Sequence, residues 1–408
     1  MKILILGQGK EGQAVKKYFS DLDYDVTFLD NFTTDSLKKY NFSSYDMVFR
    51  SPSVYPVDKN WSSSTKYFFD NCICKIIGVT GTKGKGTTCT IITHILETLG
   101  KKVHLVGNIG NPAISELEKI QPDDVVVYEM SSFQLWDLAV SPHISVVLRI
   151  EPDHLNVHDD YADYLDAKSH IAKYQKPEDY CVYFDKNSDS RKISDTSSAH
   201  KLPYPVENNQ KLNDILDSLS LAGAHNRENA SAAILACSAY FDLSLDDFLT
   251  KYQEELKNAL STVKGLPHRM EYLREFEGIR FYDDNFSTTI PSLEVALNSF
   301  SENTVLIMGG RDKTNYTDLP EIKKILDSSS HIKSIVLIGE SGHKLYTDYP
   351  DSRFVLAESL EEAVSVAMKS ARATDSHIIL MSPAAASFDM FENVYDRGAK
   401  YQQLIKSL

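Results

Sequence analysis

The stretch GVTGTKGKGTT, residues 78–88, decides the fold. It follows an apolar run, Lys75-Ile76-Ile77, and leads into an apolar helical pattern over residues 89–99. Strand, glycine-rich turn, lysine and threonine in that order describe a phosphate cradle. Glycines let backbone N–H groups approach oxyanions, the helix N-terminus adds partial positive charge, and a lysine reaches the outer phosphates. Gly81, Thr82, Lys83, Gly84, Lys85, Gly86 and Thr87 are therefore expected to surround a nucleoside triphosphate. Val79 stands where a leading glycine is usual, and Gly86 follows the lysine directly. Thr87 is thus the expected hydroxyl for Mg²⁺.

Outward from this loop, short β-rich apolar runs alternate with helical patterns, which points to α/β units with parallel sheets. One series holds strands at 2–6 and 25–29, a second at 75–79, 125–128 and 144–148, and a third at 279–282, 304–308, 334–338 and 377–381. The polar stretch NWSSSTK (60–66) reads as a linker and helix start, and STVKGLP (261–267) as a second break. The expected architecture is α/β with three domains. These are a small Rossmann-like N-terminal domain (1–68), a central P-loop parallel-sheet domain (69–263) and a C-terminal Rossmann-like domain (264–408).

The first turn, GQGKEG (7–12), is a GxGxxG after a strand, with Asp30 at the end of the next one. Alone it suggests a dinucleotide site with Asp30 on a ribose. The unit is about half the size of a full dinucleotide fold, and the triphosphate has its own loop. Gly7, Gly9, Gly12 and Asp30 are therefore expected to hold the diphosphate of a substrate. Glu129 ends the strand 125–128 and opens EMSSFQL, where a carboxylate can hold Mg²⁺. EPDHLN (151–156) follows the strand 144–148 and places His154 at the same sheet edge, suited to a second divalent ion or an acyl phosphate. Lys168 lies on the helical pattern 161–174; its spacing alone reads as a solvated lysine.

Composition narrows the class. The chain has 408 residues, 57 acidic against 43 basic, for a formal charge of −14. That sign opposes a general nucleic-acid binder, which needs a basic surface. No apolar run approaches the roughly 20 residues that span a bilayer. The N-terminus enters a strand pattern without a secretory leader, so a cytoplasmic protein is expected. Five cysteines without a paired metal spacing read as free thiols in a reducing compartment.

In order along the chain come GVTGTKGKGT, VGNIGNP (106–112), YEMSSFQL, PDHLNVH, AGAHNREN (222–229), GLPHRME, GGRDK and SPAAASFDMF. Together they resemble the Mur ligases over nearly the whole chain, and the D-glutamate-adding member in particular. The resemblance implies ATP-dependent amide formation between UDP-N-acetylmuramoyl-L-alanine and D-glutamate through an acyl phosphate, by a monomer. It implies that Lys83, Gly84, Lys85 and Thr87 cradle ATP, and that Glu129 and His154 ligate Mg²⁺, two ions in all. Lys168 would be carbamylated to a bridging carboxylate. Asn226 and Asn229 would lie near adenine, with Arg269 and Asp284 on the γ-phosphate and ribose. Asn108, Ser131 and Gln134 would face the UDP-sugar, and Thr288, Lys313, Ser387 and Phe391 the amino acid.

Three features depart from the family pattern. Where the family reads Asp-Ser-Lys-Ala-Thr-Asn, this chain reads Asp284-Asn285-Phe286-Ser287-Thr288-Thr289, so a lysine expected on the glutamate side is Phe286. Val394 replaces an aromatic, and GTKGKGT is spelled as in folylpolyglutamate synthases. A ligase for a different amino acid, a folate-type glutamate ligase, a silent nucleotide-binding protein and an NAD-dependent oxidoreductase therefore stand as alternatives.

Overall fold

The computed structural model describes residues 1–408 apart from Asn156, Lys313 and Asn315. The chain divides into two compact units, Met1–Ser220 with His225–Val263, and Leu221–Ala224 with Lys264–Leu408.

The first unit carries two sheets. β1 (Lys2–Leu6), β2 (Asp25–Leu29), β3 (Met47–Arg50) and β4 (Ser62–Ser63) pair in parallel in the order β2-β1-β3-β4. Strand residues alternate between faces. Ile3 and Ile5 accordingly pack with Val15, Phe19 and Phe49 on one side, and Leu4 and Leu6 with Leu37, Val54 and Trp61 on the other. Apolar residues on both faces mark a sheet covered on both sides. The stretch 60–66 is no linker: Ser62–Ser63 is the edge strand β4, and Trp61 is 2% exposed against Phe42. The helix start does fall there, because Ser63 caps the helix Ser64–Asn71 through Lys66 N–H.

The second sheet holds β5 (Lys75–Thr80), β6 (Val103–Gly107), β7 (Val125–Glu129), β8 (Ile144–Val147), β9 (Tyr180–Phe184) and β10 (His200–Tyr204). All are parallel, in the order β10-β9-β8-β5-β7-β6. β5 therefore lies between β7 and β8 at the centre, and the crevice beyond the carboxyl ends of such strands is where open α/β sheets bind ligands.

The second unit holds β11 (Glu271–Phe276), β12 (Ile279–Asp283), β13 (Thr304–Gly309), β14 (Ile332–Ile338), β15 (Phe354–Leu356) and β16 (Ile378–Met381), ordered β11-β12-β16-β13-β14-β15. Only the β11–β12 hairpin is antiparallel. Val305 and Ile307 face one core and Leu306 and Met308 the other, so this sheet too is covered on both faces.

Candidate active site

At the end of β5 the chain turns through Gly81–Gly84 into the helix Lys85–Thr98. Gly84 has φ +84°, and a Cβ there would sit 2.6 Å from Asn229 Oδ1. Only glycine fits that backbone without strain. The loop is tied down by its threonines. Thr80 Oγ1 donates to Met130 O (2.9 Å), while Thr82 Oγ1 donates to Glu151 O (2.9 Å) and accepts from Glu151 N–H (2.8 Å). Lys85 Nζ donates to Gly81 O and Thr82 O, both at 3.0 Å. The loop is thus preformed, with room for anionic oxygens at a helix N-terminus. Its residues fit the phosphates of ATP.

Lys168 is 2% exposed, on the inner face of the helix Tyr161–Lys173. The solvated reading of its spacing is therefore overturned. Its Nζ donates to Gly81 O at 2.9 Å and to Thr80 Oγ1 at 3.3 Å. Burial, reinforced by the charge of Lys85, holds its ammonium well below the usual lysine range. Glu129, at the end of β7, is 7% exposed. His154 has φ +54° and is half-exposed, its Nε2 3.5 Å from Asp153, and burial lowers its pKa. A non-glycine residue held in the left-handed region is strained, and such strain clusters at functional sites. These side chains fit a divalent ion only together with phosphate oxygens. Among the described residues, the one group of three His, Cys, Asp or Glu donors within 4.8 Å of one another is His268, Glu271 and Asp283 in the second unit.

One cavity of about 450 Å³ joins the two sheets of the first unit. Gly9, Lys10, Glu11, Ser51 and Asn108 line it, together with Gly81, Lys85, Ser131, His154 and Lys168. The N-terminal glycine turn and the phosphate loop therefore open onto the same space. In that turn a Cβ on Gly12 would stand 2.3 Å from Gly7 O, so the first turn of the helix Lys10–Asp21 can close only on glycine. Asp30 stands exposed after β2 and does not line the cavity. Gln134 is 1% exposed; its Oε1 accepts from Ser131 N–H (2.9 Å) and its Nε2 donates to Glu11 Oε1 (2.6 Å). It shapes the 131–134 turn from behind. Asn226 and Asn229 are buried in the helix Ala224–Tyr240, and Asn229 lies against Gly84.

Sequence reading missed the residues that brace this turn. His158, buried, bridges Ser132 Oγ (Nε2, 2.9 Å) and Asp163 Oδ2 (Nδ1, 2.7 Å). Arg50 is 2% exposed at the end of β3; it pairs with Asp137 and donates to Phe133 O at 3.0 Å. His158 is the second of two histidines in PDHLNVH, and neither it nor a strand-end arginine carries a local signal of Ser132 and Asp137, which lie 26 and 87 residues away.

In the second unit, Asp284 follows β12 at 7% exposed. Its Oδ2 accepts from Ser382 Oγ (2.8 Å) and its Oδ1 from Met270 N–H (3.2 Å), yet burial pushes its pKa up to about 7. The guanidinium of Arg269 lies 5.6 Å from the ring centre of Phe286, which also meets His268 (5.8 Å) and Tyr395 (5.1 Å). His268 Nδ1 is 2.7 Å from Asp283 Oδ2, and this contact raises the pKa of the imidazole. Arg397, fully buried, donates to Asn285 Oδ1 (2.8 Å), Asn285 O (2.9 Å) and Ala385 O (3.2 Å), and so clamps the 284–289 loop. Thr288 lines a cavity of about 140 Å³ with Gly309, Arg311 and Asp312. Ser387 is 2% exposed, and its Oγ has no hydrogen-bond partner among the described residues. Phe391 lies 5.5 Å from Lys400 Nζ, and Lys313 falls outside the described residues.

Known proteins match this architecture. Residues 79–237 fit the family pattern of the Mur ligase middle domain. The UDP-N-acetylmuramoylalanine–D-glutamate ligase of Clostridium tetani is 30% identical over 459 residues, covering 100% of this chain and 97% of that protein. The enzyme of the same description from Clostridium kluyveri is 31% identical over 403 residues, covering 90% of this chain and 84% of that one. Among solved structures, the MurF ligase of Thermotoga maritima in complex with ADP shares the fold at TM-score 0.62 and 14% identity, over 100% of this chain and 95% of that chain. The UDP-N-acetylmuramoylalanyl-D-glutamyl-2,6-diaminopimelate–D-alanyl-D-alanyl ligase of Acinetobacter baumannii does so at TM-score 0.62 and 17% identity, over 87% and 84%. With its phosphate loop and buried lysine set around one cavity, the chain belongs to the Mur ligase family, alongside the UDP-N-acetylmuramoylalanine–D-glutamate ligases that it matches over 90–100% of its length.

Proposed function

We propose that this chain joins D-glutamate to UDP-N-acetylmuramoyl-L-alanine, with ATP converted to ADP and phosphate, as a step in building peptidoglycan precursors. One observation carries the reading: the N-terminal glycine turn, Asn108 and Ser131 share a cavity with Lys85, His154 and Lys168. A nucleotide-sugar held at the first group presents its carboxylate to a triphosphate held at the second.

In this reading the carboxylate attacks the γ-phosphorus in line, ADP leaves, and an acyl phosphate forms. The amine of D-glutamate then attacks the activated carbonyl, and phosphate departs. Lys85 stabilises the charge that grows on the transferring phosphoryl oxygens. Mg²⁺, when bound, would neutralise phosphate charge. Glu129, His154 and Thr87 are its candidate ligands, joined by Lys168 once carbamylated. Burial that depletes the proton on Lys168 leaves the neutral amine that reacts with CO₂. Arg269 and Asp284 are assigned to the nucleotide, and Thr288 and Ser387 to the amino acid. The proposed domain boundaries are 1–68, 69–263 and 264–408, in a monomer working in the cytoplasm. Among the described residues no helix is long and apolar enough to cross a membrane.

Phe286 supports one second reading, a different amino acid on the same nucleotide-sugar, because it removes a cation from the expected amino-acid pocket. Phosphate release from ATP, measured with the nucleotide-sugar and a panel of D- and L-amino acids, separates the two. Release that requires both the nucleotide-sugar and D-glutamate supports the proposal. Release that D-glutamate leaves unchanged contradicts it.

A further inference from the structure

Two thiols stand in contact outside the active site. Cys72 ends the helix Ser64–Asn71, and Cys74 directly precedes β5, the strand that leads into the phosphate loop. Their Sγ atoms lie 3.8 Å apart. Cys72 is half-buried and Cys74 is 5% exposed, while Ile73 between them is 62% exposed and marks the segment as reachable from solvent. The other cysteines, Cys89, Cys181 and Cys237, are each 0% exposed.

We propose that Cys72 and Cys74 form a reversible redox pair, in which Cys72 reacts with a peroxide and Cys74 resolves the product as a disulfide. The environment favours this division of labour. Hydrogen bonding from the Cys74 thiol pulls the pKa of Cys72 down to about 7, while the same contact and burial push that of Cys74 up. A half-exposed, readily ionised thiol beside a second one is the arrangement of redox-sensing cysteines.

In the first step the Cys72 thiolate attacks one oxygen of hydrogen peroxide. The O–O bond breaks, hydroxide leaves and takes up a proton as water, and Cys72 becomes a sulfenic acid. In the second step the Cys74 sulfur attacks the Cys72 sulfur and the S–O bond breaks. The departing hydroxide takes the Cys74 proton to give a second water. Two thiols are oxidised by two electrons, and one peroxide is reduced to two waters. The bond would fasten the end of the helix Ser64–Asn71 to the start of β5.

Both cysteines fall in one tryptic peptide, YFFDNCICK, residues 67–75. The full-length folded protein is treated with increasing hydrogen peroxide, quenched with iodoacetamide, digested and analysed by mass spectrometry. The expected result is that this peptide becomes two hydrogen masses lighter and unalkylated before the peptides of Cys89, Cys181 or Cys237 change. Dithiothreitol should restore double alkylation. Cys74→Ser should leave a sulfenic acid at Cys72 that reacts with dimedone. The proposal is overturned if residues 67–75 stay doubly alkylated at doses that modify the buried thiols, or if Cys72 links two chains. The wild-type measurement decides without reliance on a variant's folding.

Discussion

Lys168 Nζ lies 2.9 Å from the carbonyl oxygen of Gly81, so a buried lysine of the helix Tyr161–Lys173 is hydrogen-bonded to the phosphate loop. A desolvated amine with few partners is a poor stabiliser and a good reagent. Lys168→Met should therefore keep or raise thermal stability while ligation falls by ~100-fold or more. In Lys168→Ala, a short carboxylic acid should restore part of the lost rate by standing in for a lysine carbamate. Phosphate release with and without the added acid checks both. Full activity in the unrescued Ala variant would remove Lys168 from the chemistry.

Gly84 offers a separate test of the loop. Its φ is +84°, and Asn229 Oδ1 lies 2.6 Å from the point a Cβ would occupy, which leaves no room for a side chain. Gly84→Ala should lower stability by about 1–2 kcal/mol for the left-handed backbone and raise KM for ATP roughly 10-fold or more. KM for the nucleotide-sugar should change less. Steady-state kinetics with each substrate varied in turn read the split.

How far these sites are legible in the sequence depends on how local their signals are. The phosphate loop can be read because glycine, lysine and threonine fall within one turn, and Glu129 because it ends an apolar strand. The burial of Lys168 cannot, because it arises from a helix folding back onto β5 across 88 residues. The stretch 60–66 resembles a linker because serines dominate it, but β4 consists of serines whose backbone pairs with β3, and Trp61 anchors it. His158, Arg50 and Arg397 act through partners 26, 87 and 112 residues away, respectively. No spacing rule announces contacts of that range.

Asp284 makes stability depend on pH in a defined direction. Burial raises its pKa from an ordinary 3.8 to about 7 in the folded protein. Below about pH 4 both states are protonated; between there and pH 7 the unfolded chain ionises first, so this residue's contribution declines as pH rises. Asp284→Asn removes the effect. The variant's stability relative to wild type should rise by up to about 1.4 kcal/mol per pH unit across that window and level off above it. Urea unfolding at a series of pH values measures the difference. A difference that does not vary with pH would show that the carboxyl is not raised.

Phe286 carries the guanidinium of Arg269 over its ring at 5.6 Å. Phe286→Lys restores the residue that the family pattern expects, but it places a second cation beside Arg269 and deletes the attraction between guanidinium and ring. Ligation should fall ~10-fold or more, and Phe286→Tyr, which keeps the ring, should stay within ~3-fold of wild type. An improved rate with lysine would show that Arg269 does not rely on the ring. Initial rates of ADP formation distinguish these outcomes.

The product itself identifies the reaction. The protein is incubated with ATP, UDP-N-acetylmuramoyl-L-alanine and either D- or L-glutamate, and the nucleotide-sugar is followed by mass spectrometry. The expected result is a gain of one glutamyl residue with the D-isomer, matched by equimolar ADP and phosphate, and little with the L-isomer. A nucleotide-sugar of unchanged mass while ATP is consumed, or an equal gain with both isomers, would contradict it.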